Sequence, residues 1–214
     1  MHLSVGTVEL RGDFSRYTKN FDLLEVRTDA GRAPRTARLA GWKSSAPEGF
    51  VFSVVLPSEV TQLETEPSEE ALRRALAAAE TLDARWIVAR TPASVTPTAR
   101  SRSRLSQLVA LLPKQRNIAW EPAGLWEDAA AESLAAELGV VLVRDLGHAE
   151  PAPGSRIYTR LRGLGHGGRI PAGAVDLVAD RLMECEEAAV VVEGSGAMNV
   201  ARALRQQLGE MEEE

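Results

Sequence analysis

The sequence predicts an α/β fold, a compact (β/α)8 barrel of the TIM type with parallel strands. Three observations carry this: eight short apolar and β-branched runs, helical segments between most of them, and charged residues gathered at the carboxyl ends of the runs. The runs are too continuously apolar for strands with one wet face. They read as strands covered on both sides. A doubly wound open sheet is the rival, and it places a glycine-rich phosphate loop after its first strand. Here that region is "ELRGDFSRY", with no G-x-G-x-x-G spacing.

The elements follow in order. The first strand is "HLSVGTV" (2–8), followed by a weak helical stretch over 11–21. The second is "DLLEVRT" (22–28), with a second weak helical stretch over 34–46. The third is "FVFSVVLP" (50–57). A helix over 68–82 opens on Ser68 as N-cap, with acids in its first turn. The fourth strand is "ARWIVAR" (84–90). The next helix, 96–112, has Thr96 as its cap and Pro97 at its first position. The fifth strand is "NIAWEP" (117–122), and an alanine-rich helix over 126–138 stops at Gly139. The sixth strand is "VVLVRD" (140–145). Two prolines in "LGHAEPAPGS" (146–155) reduce the next helix to a loop. The seventh strand, "RIYTRLRG" (156–163), leads through glycines to a helix over 171–185. The eighth, "AAVVVEGS" (188–195), leads to a helix over 196–209. Residues 1–210 read as one barrel domain and 211–214 as an acidic disordered tail.

Composition narrows the function. The chain has 214 residues and a formal charge of -5, which weighs against nucleic acid held by bulk positive charge. The single cysteine, Cys185, excludes an intramolecular disulfide and reads as an inert thiol. No apolar run is long enough to span a bilayer and no signal peptide is visible, so a cytoplasmic protein is expected. His2, His148 and His166 show no metal-ligand spacing, so no metal site is expected. No cofactor is identified, and the oligomeric state is not legible. Trp42, Trp86, Trp120 and Trp126 read as packing residues, with Trp126 the best candidate for a ligand platform.

In a barrel of this type, functional residues occupy the carboxyl ends of the strands. Those positions hold Glu25 and Arg27, Arg90, Glu121, Asp145, Arg160 and Arg162, and Glu193. Strand periodicity puts Tyr158, Arg160 and Arg162 on one face, with Ile157, Thr159 and Leu161 on the other. Buried charges need partners, so the arginines imply contact with Glu25, Glu121, Asp145 or Glu193. Glu25 and Glu121 are the candidate acid/base pair. Arg160 and Arg162 would hold a small anionic ligand by charge-assisted hydrogen bonds. Arg27, Arg90, Trp126, Asp145, Tyr158, Glu193, Ser195 and Gly196 complete the candidate ligand-binding set. The glycines of "RGLGHGG" and "EGSGA" add an anion site against the first turn of the last helix.

The motifs resemble the YecE-like family, domain of unknown function 72, whose members are TIM-type barrels. "FDLLEVRT" with Glu25, "GW" with Trp42 and "PEGFVFSVVLP" follow its order. So do "PASV", "WEPAGLW" with Glu121 and Trp126, "YTRLRG" with Tyr158, Arg160 and Gly163, and "MNVARAL" with Asn199 and Leu204. Several family positions differ. An aromatic pair is replaced by Ala30 and Gly31, a lysine by Val55, and a histidine falls near Gln62. A strand-five arginine is missing from "EPAGLW", a histidine is Arg162, and an asparagine pair is Glu193 and Gly194. The opening "G-T-S-G-W" is reduced to "GTV". The resemblance implies the fold; the family's activity is unsettled. Two readings stay open: a ligand-binding or catalytic barrel for a small polar or anionic molecule, and a degenerate barrel that acts as a binding or interaction protein.

Overall fold

The computed structural model describes residues 1–10, 12–64, 66–163 and 168–212. The first half runs β1 (His2–Val8), α1 (Phe14–Tyr17), β2 (Leu23–Arg27), α2 (Thr36–Ser45), β3 (Val51–Val55), α3 (Ser58–Thr61), α4 (Glu69–Thr81) and β4 (Trp86–Thr91). The second runs α5 (Ala99–Ala110), β5 (Asn117–Pro122), α6 (Asp128–Leu138), β6 (Val141–Leu142), β7 (Arg156–Arg162), α7 (Ala172–Leu182), β8 (Glu187–Glu193) and α8 (Ala197–Glu212). The eight strands lie in the order β6-β5-β4-β3-β2-β1-β8-β7, with parallel pairing. This is an α/β barrel of the TIM type, and no helix stands between β6 and β7.

Local chemistry explains most boundaries. The Ser68 hydroxyl accepts from the Ala71 N–H and caps α4 as expected. Gly139 ends α6 at φ 65° and ψ 33°, the left-handed geometry that glycine takes without a Cβ clash. The cap of α5 is a correction. Thr98, not Thr96, accepts from the Ser101 N–H, and the helix begins at Ala99. The short α3 was not foreseen, and α1 keeps only four residues of the weak stretch over 11–21. The predicted tail falls partly in α8, which reaches Glu212; residues 213 and 214 lie outside the described residues.

The chain divides into two compact units. The first comprises Met1–Glu25, Pro47–Val51 and Val143–Glu214. It contains β1, β7 and β8, and its apolar strand residues Val5, Val190 and Val191 are fully buried. Arg144, past the end of β6, makes a parallel bridge with Thr159 of β7. The Thr159 hydroxyl donates to Arg144 O at 2.7 Å and accepts from the Leu146 N–H, so a side-chain oxygen fixes the chain there. Arg181 of α7 ties down the helix-free segment by donating to Leu146 O and pairing with Glu150.

The second unit comprises Val26–Ala46 and Phe52–Leu142. Its core is built on β4 and β5, where Trp86, Ile87, Val88, Ala119 and Trp120 are fully buried. The buried Trp120 indole N–H donates to the Thr91 hydroxyl at 3.1 Å, which satisfies its one polar atom.

In the first unit the Tyr17 hydroxyl joins β1 to β2. It accepts from the Thr7 N–H at 2.9 Å and donates to Leu23 O at 2.5 Å. Burial pushes its pKa up from 10.0 to about 12, against the lowering effect of the Thr7 hydrogen bonds. A folded-state pKa raised above the unfolded value leaves stability complete below about pH 10 and removes it as pH rises toward 12. Chemical denaturation should therefore give a flat stability from neutral pH to about pH 10 and a fall above it. Tyr17→Phe should cost about 1–3 kcal/mol at neutral pH by orphaning the Thr7 N–H and Leu23 O. It should also flatten the alkaline fall; an equally steep fall in the variant would assign the titration to another group.

Candidate functional site

The alternation read from β7 holds. Thr159 serves the backbone of the segment after β6, while Tyr158 and Arg160 turn to the other face and reach Glu25 of β2. The Arg160 guanidinium grips the Glu25 carboxylate with two parallel bonds, 2.9 Å to Oε1 and 2.6 Å to Oε2. The Tyr158 hydroxyl donates to the same Oε2 at 2.7 Å. Both charged side chains are 0% exposed. Charges taken wholly out of water are tolerated only with this quality of pairing.

The strand order makes this contact informative. β1 and β8 stand between β2 and β7. On a flat sheet three strand spacings put β2 about 14 Å from β7. Side chains meeting at 2.6–2.9 Å across that interval require a strongly curved sheet with this face concave. At the level of Arg160 the intervening partners are Val191 and, beyond it, Gly6, which has no side chain to obstruct the crossing.

Outward from this pair the charges alternate. Glu193 Oε2 lies 3.9 Å from both Arg160 Nη1 and Arg162 Nε. Arg162 has a half-exposed side chain, so the series runs from buried core to water. Glu25, Tyr158, Arg160, Arg162 and Glu193 are thus brought together in the first unit. Asp145 is a correction to the expected arginine partnership. Its Oδ1 accepts from the Gly147 N–H and its Oδ2 from the Arg162 N–H, both at 3.0 Å, so it organises the turn after β6 through backbone bonds.

The glycines after β7 and β8 have a packing role. A Cβ on Gly163 would lie 1.8 Å from Gly168 O, and one on Gly194 would lie 2.2 Å from the same oxygen. That carbonyl also accepts from the Ser195 N–H at 2.9 Å. Two strand ends and the returning loop therefore cross with their backbones in contact. Gly165, His166 and Gly167 of the same expected loop lie outside the described residues. Gly196 has φ 83° and its carbonyl accepts from the N–H groups of Asn199 and Val200, opening α8.

Beside this crossing, between the first turns of α7 and α8, is a cleft of about 470 Å³. Ile170, Val175 and Val200 form apolar wall, and Arg169, Ser195 and Asn199 supply polar groups. Arg169 was missed by sequence reasoning. Its only signal was a lone arginine after the glycines, one residue before the buried Ile170 and the proline that caps α7.

In the second unit Arg90 and Glu121 are register partners on adjacent strands, with Arg90 Nε 3.0 Å from Glu121 Oε2. Arg27 ends β2 half-buried. Trp126 is held by its neighbours: its indole N–H donates to Val95 O at 2.7 Å, its ring meets Trp120 edge-on at 4.9 Å, and the Arg102 guanidinium stands 5.7 Å from its ring centre. Cys185 is buried, and desolvation pushes its thiol pKa up. Among the described residues no three His, Cys, Asp or Glu side chains are grouped to hold a metal ion. None of the described helices is long and apolar enough to cross a membrane.

Comparison with known proteins gives a consistent result. The family described as protein of unknown function DUF72 matches residues 5–214. A DUF72 family protein from Enterococcus faecalis superposes with a TM-score of 0.75 at 16% identity, covering 96% of this chain and 95% of that one. One from Thermotoga maritima gives 0.75 at 15% identity over 100% of both chains. Endonuclease IV from Thermus thermophilus gives 0.61 at 14% identity over 99% and 98%. At these identities the solved structures speak to fold alone. No curated protein matches the chain in sequence.

The buried pair makes a quantitative prediction. Glu25→Gln and Arg160→Met should each cost about 3–5 kcal/mol, because each removes the bidentate partner of a buried ion. The double variant should lose much less than the sum. Strictly additive losses in denaturant melts would show that the two side chains are not coupled.

Proposed function

Because the chain belongs to the DUF72 family, whose function is unknown, we propose its role from its own side chains: it is a binding protein that takes a small polar ligand with an anionic group at the carboxyl ends of its strands. The observation that carries this reading is the cleft between the first turns of α7 and α8. Arg169 is exposed, and its guanidinium has no ion pair among the described residues. The first N–H groups of both helices face no intrahelical acceptor, and their dipoles favour negative charge. Asn199 and Ser195 add neutral donors, and the apolar wall suits a short carbon skeleton. Asp176, also on the lining, accepts from Gln207 and repels an anion from its own side of the cleft. The ligand's charged end therefore belongs toward Arg169.

In this reading Glu25 and Arg160 hold the scaffold rather than the ligand, and no reaction is assigned to them. The likeness to endonuclease IV extends to fold and lends this chain no nuclease chemistry. A second reading, a barrel whose rim charges satisfy one another without a small ligand, is favoured by the Arg162–Glu193 pair.

The two separate on addition of inorganic phosphate at constant ionic strength. A site with a millimolar dissociation constant should stabilise the fold by about 1.4 kcal/mol at ten times that concentration. Arg169→Ala should abolish most of that gain while keeping the general salting-out contribution. Equal gains in wild type and variant would favour the second reading.

A further inference from the structure

The geometry points to a second oxyanion-receiving position, at the end of β4: Arg90 presents the Nη1–Nη2 edge of its guanidinium to a carboxylate or phosphate group, and Glu121 is its positioning residue. This inference does not draw on the cleft in the first unit.

A guanidinium has two edges that can hold an oxyanion bidentately, the Nε side and the Nη1–Nη2 end. Glu121 occupies only the first, at 3.0 Å from Nε. Among the described residues Arg90 has no other hydrogen bond or ion pair. Its side chain is 32% exposed while that of Glu121 is 6% exposed, so the anchor is buried and the arginine is partly open to water.

Two other arginines of this unit, Arg104 and Arg116, show a structural role. Arg104 donates through Nη1 to Leu63 O, and Arg116 through Nη1 to Ala84 O and Asp83. In each, Nη1 is held by protein oxygen. The chain also shows what a closed pair looks like, since Glu25 takes both terminal nitrogens of Arg160. A carboxylate used only to neutralise Arg90 would gain most from that same two-point grip. The single contact through Nε instead fixes the plane of the guanidinium and leaves its fork available.

The strands support the placement. Arg90 and Glu121 are direct partners in the parallel register, on the opposite faces of β4 and β5 from the Thr91–Trp120 hydrogen bond. A rigid ladder on buried strands limits the motion of the guanidinium, which lowers the entropy cost of receiving an anion. The chemical class is an oxyanion with two oxygens in one plane with the fork.

The test uses the full chain labelled with 15N, titrated with inorganic phosphate and separately with acetate at constant ionic strength. The Arg90 Nε–H and Thr91 amide signals should shift saturably with at least one of the two. Phosphate alone would assign the phosphate class and acetate alone the carboxylate class. Arg90→Lys keeps the charge but not the fork, and should weaken binding by about tenfold or more. Glu121→Gln should weaken it without removing it, while the Arg90 Nε–H signal moves in the absence of anion. No saturable shift with either anion, or equal affinity in Arg90→Lys, would overturn the proposal. Arg169→Ala should leave these shifts intact; their disappearance in that variant would show them to report the cleft and would also overturn it. Silence at Gly196 and Asn199 with a response at Arg90 would count against the cleft alone.

Discussion

Glu25 and Arg160 are both removed completely from water, and the fold accommodates them because they are paired and hydrogen-bonded there. The penalty for burying each ion is several kcal/mol, so the grip must be nearly ideal. Two parallel guanidinium bonds and a Tyr158 hydroxyl provide it. Much of the first unit can be derived from this requirement. β7 must place Tyr158 and Arg160 on one face, which its two-residue period does. The sheet must curve enough to bring β2 and β7 within side-chain reach across β1 and β8. The backbones must also approach closely where the strands converge. A Cβ at Gly6 would lie 1.8 Å from Leu23 O, in the same pair of strands that carries Glu25.

The same chain contains two kinds of carboxylate–arginine pair, and the difference has functional weight. The Glu25–Arg160 pair is bidentate, buried and capped by a tyrosine, so its geometry leaves the pair in the scaffold. The Arg90–Glu121 pair is single-point and partly open. The first explains why conspicuous charges at strand ends need not be catalytic. In the second, on our proposal, a buried carboxylate holds an arginine in a receptive orientation. The glycine crossing at Gly163, Gly168 and Gly194 belongs with the first kind, because its small residues serve backbone contact.

What was legible in the sequence was governed by local physics. The β7 alternation, the Ser68 cap, the Gly139 stop and the helix-free segment with its prolines all follow from period, hydroxyl placement or backbone stereochemistry. The ordered motifs gave the family and thus the barrel. The misreadings arose where two local solutions were equivalent or where distant backbone decided. Thr96 and Thr98 both offer a hydroxyl before the helix, and only the path of the preceding turn selects Thr98. Asp145 looked like an arginine partner, but the N–H groups of Gly147 and Arg162 claim its two oxygens. No pattern in "RGLGHGG" reveals that Gly168 O will sit against Gly163 and Gly194. Arg169 carries no motif at all and gains meaning only from the cleft it lines.

The proposed function keeps Arg160 locked to Glu25 as scaffold and closed to ligands. The most direct measurement is 15N NMR of the Arg160 guanidinium in the full chain near neutral pH, with and without phosphate. A locked pair should give separately resolved Nη–H signals, slow exchange with water and no change when phosphate is added. Averaged, rapidly exchanging Nη–H signals, or a saturable phosphate shift, would contradict it.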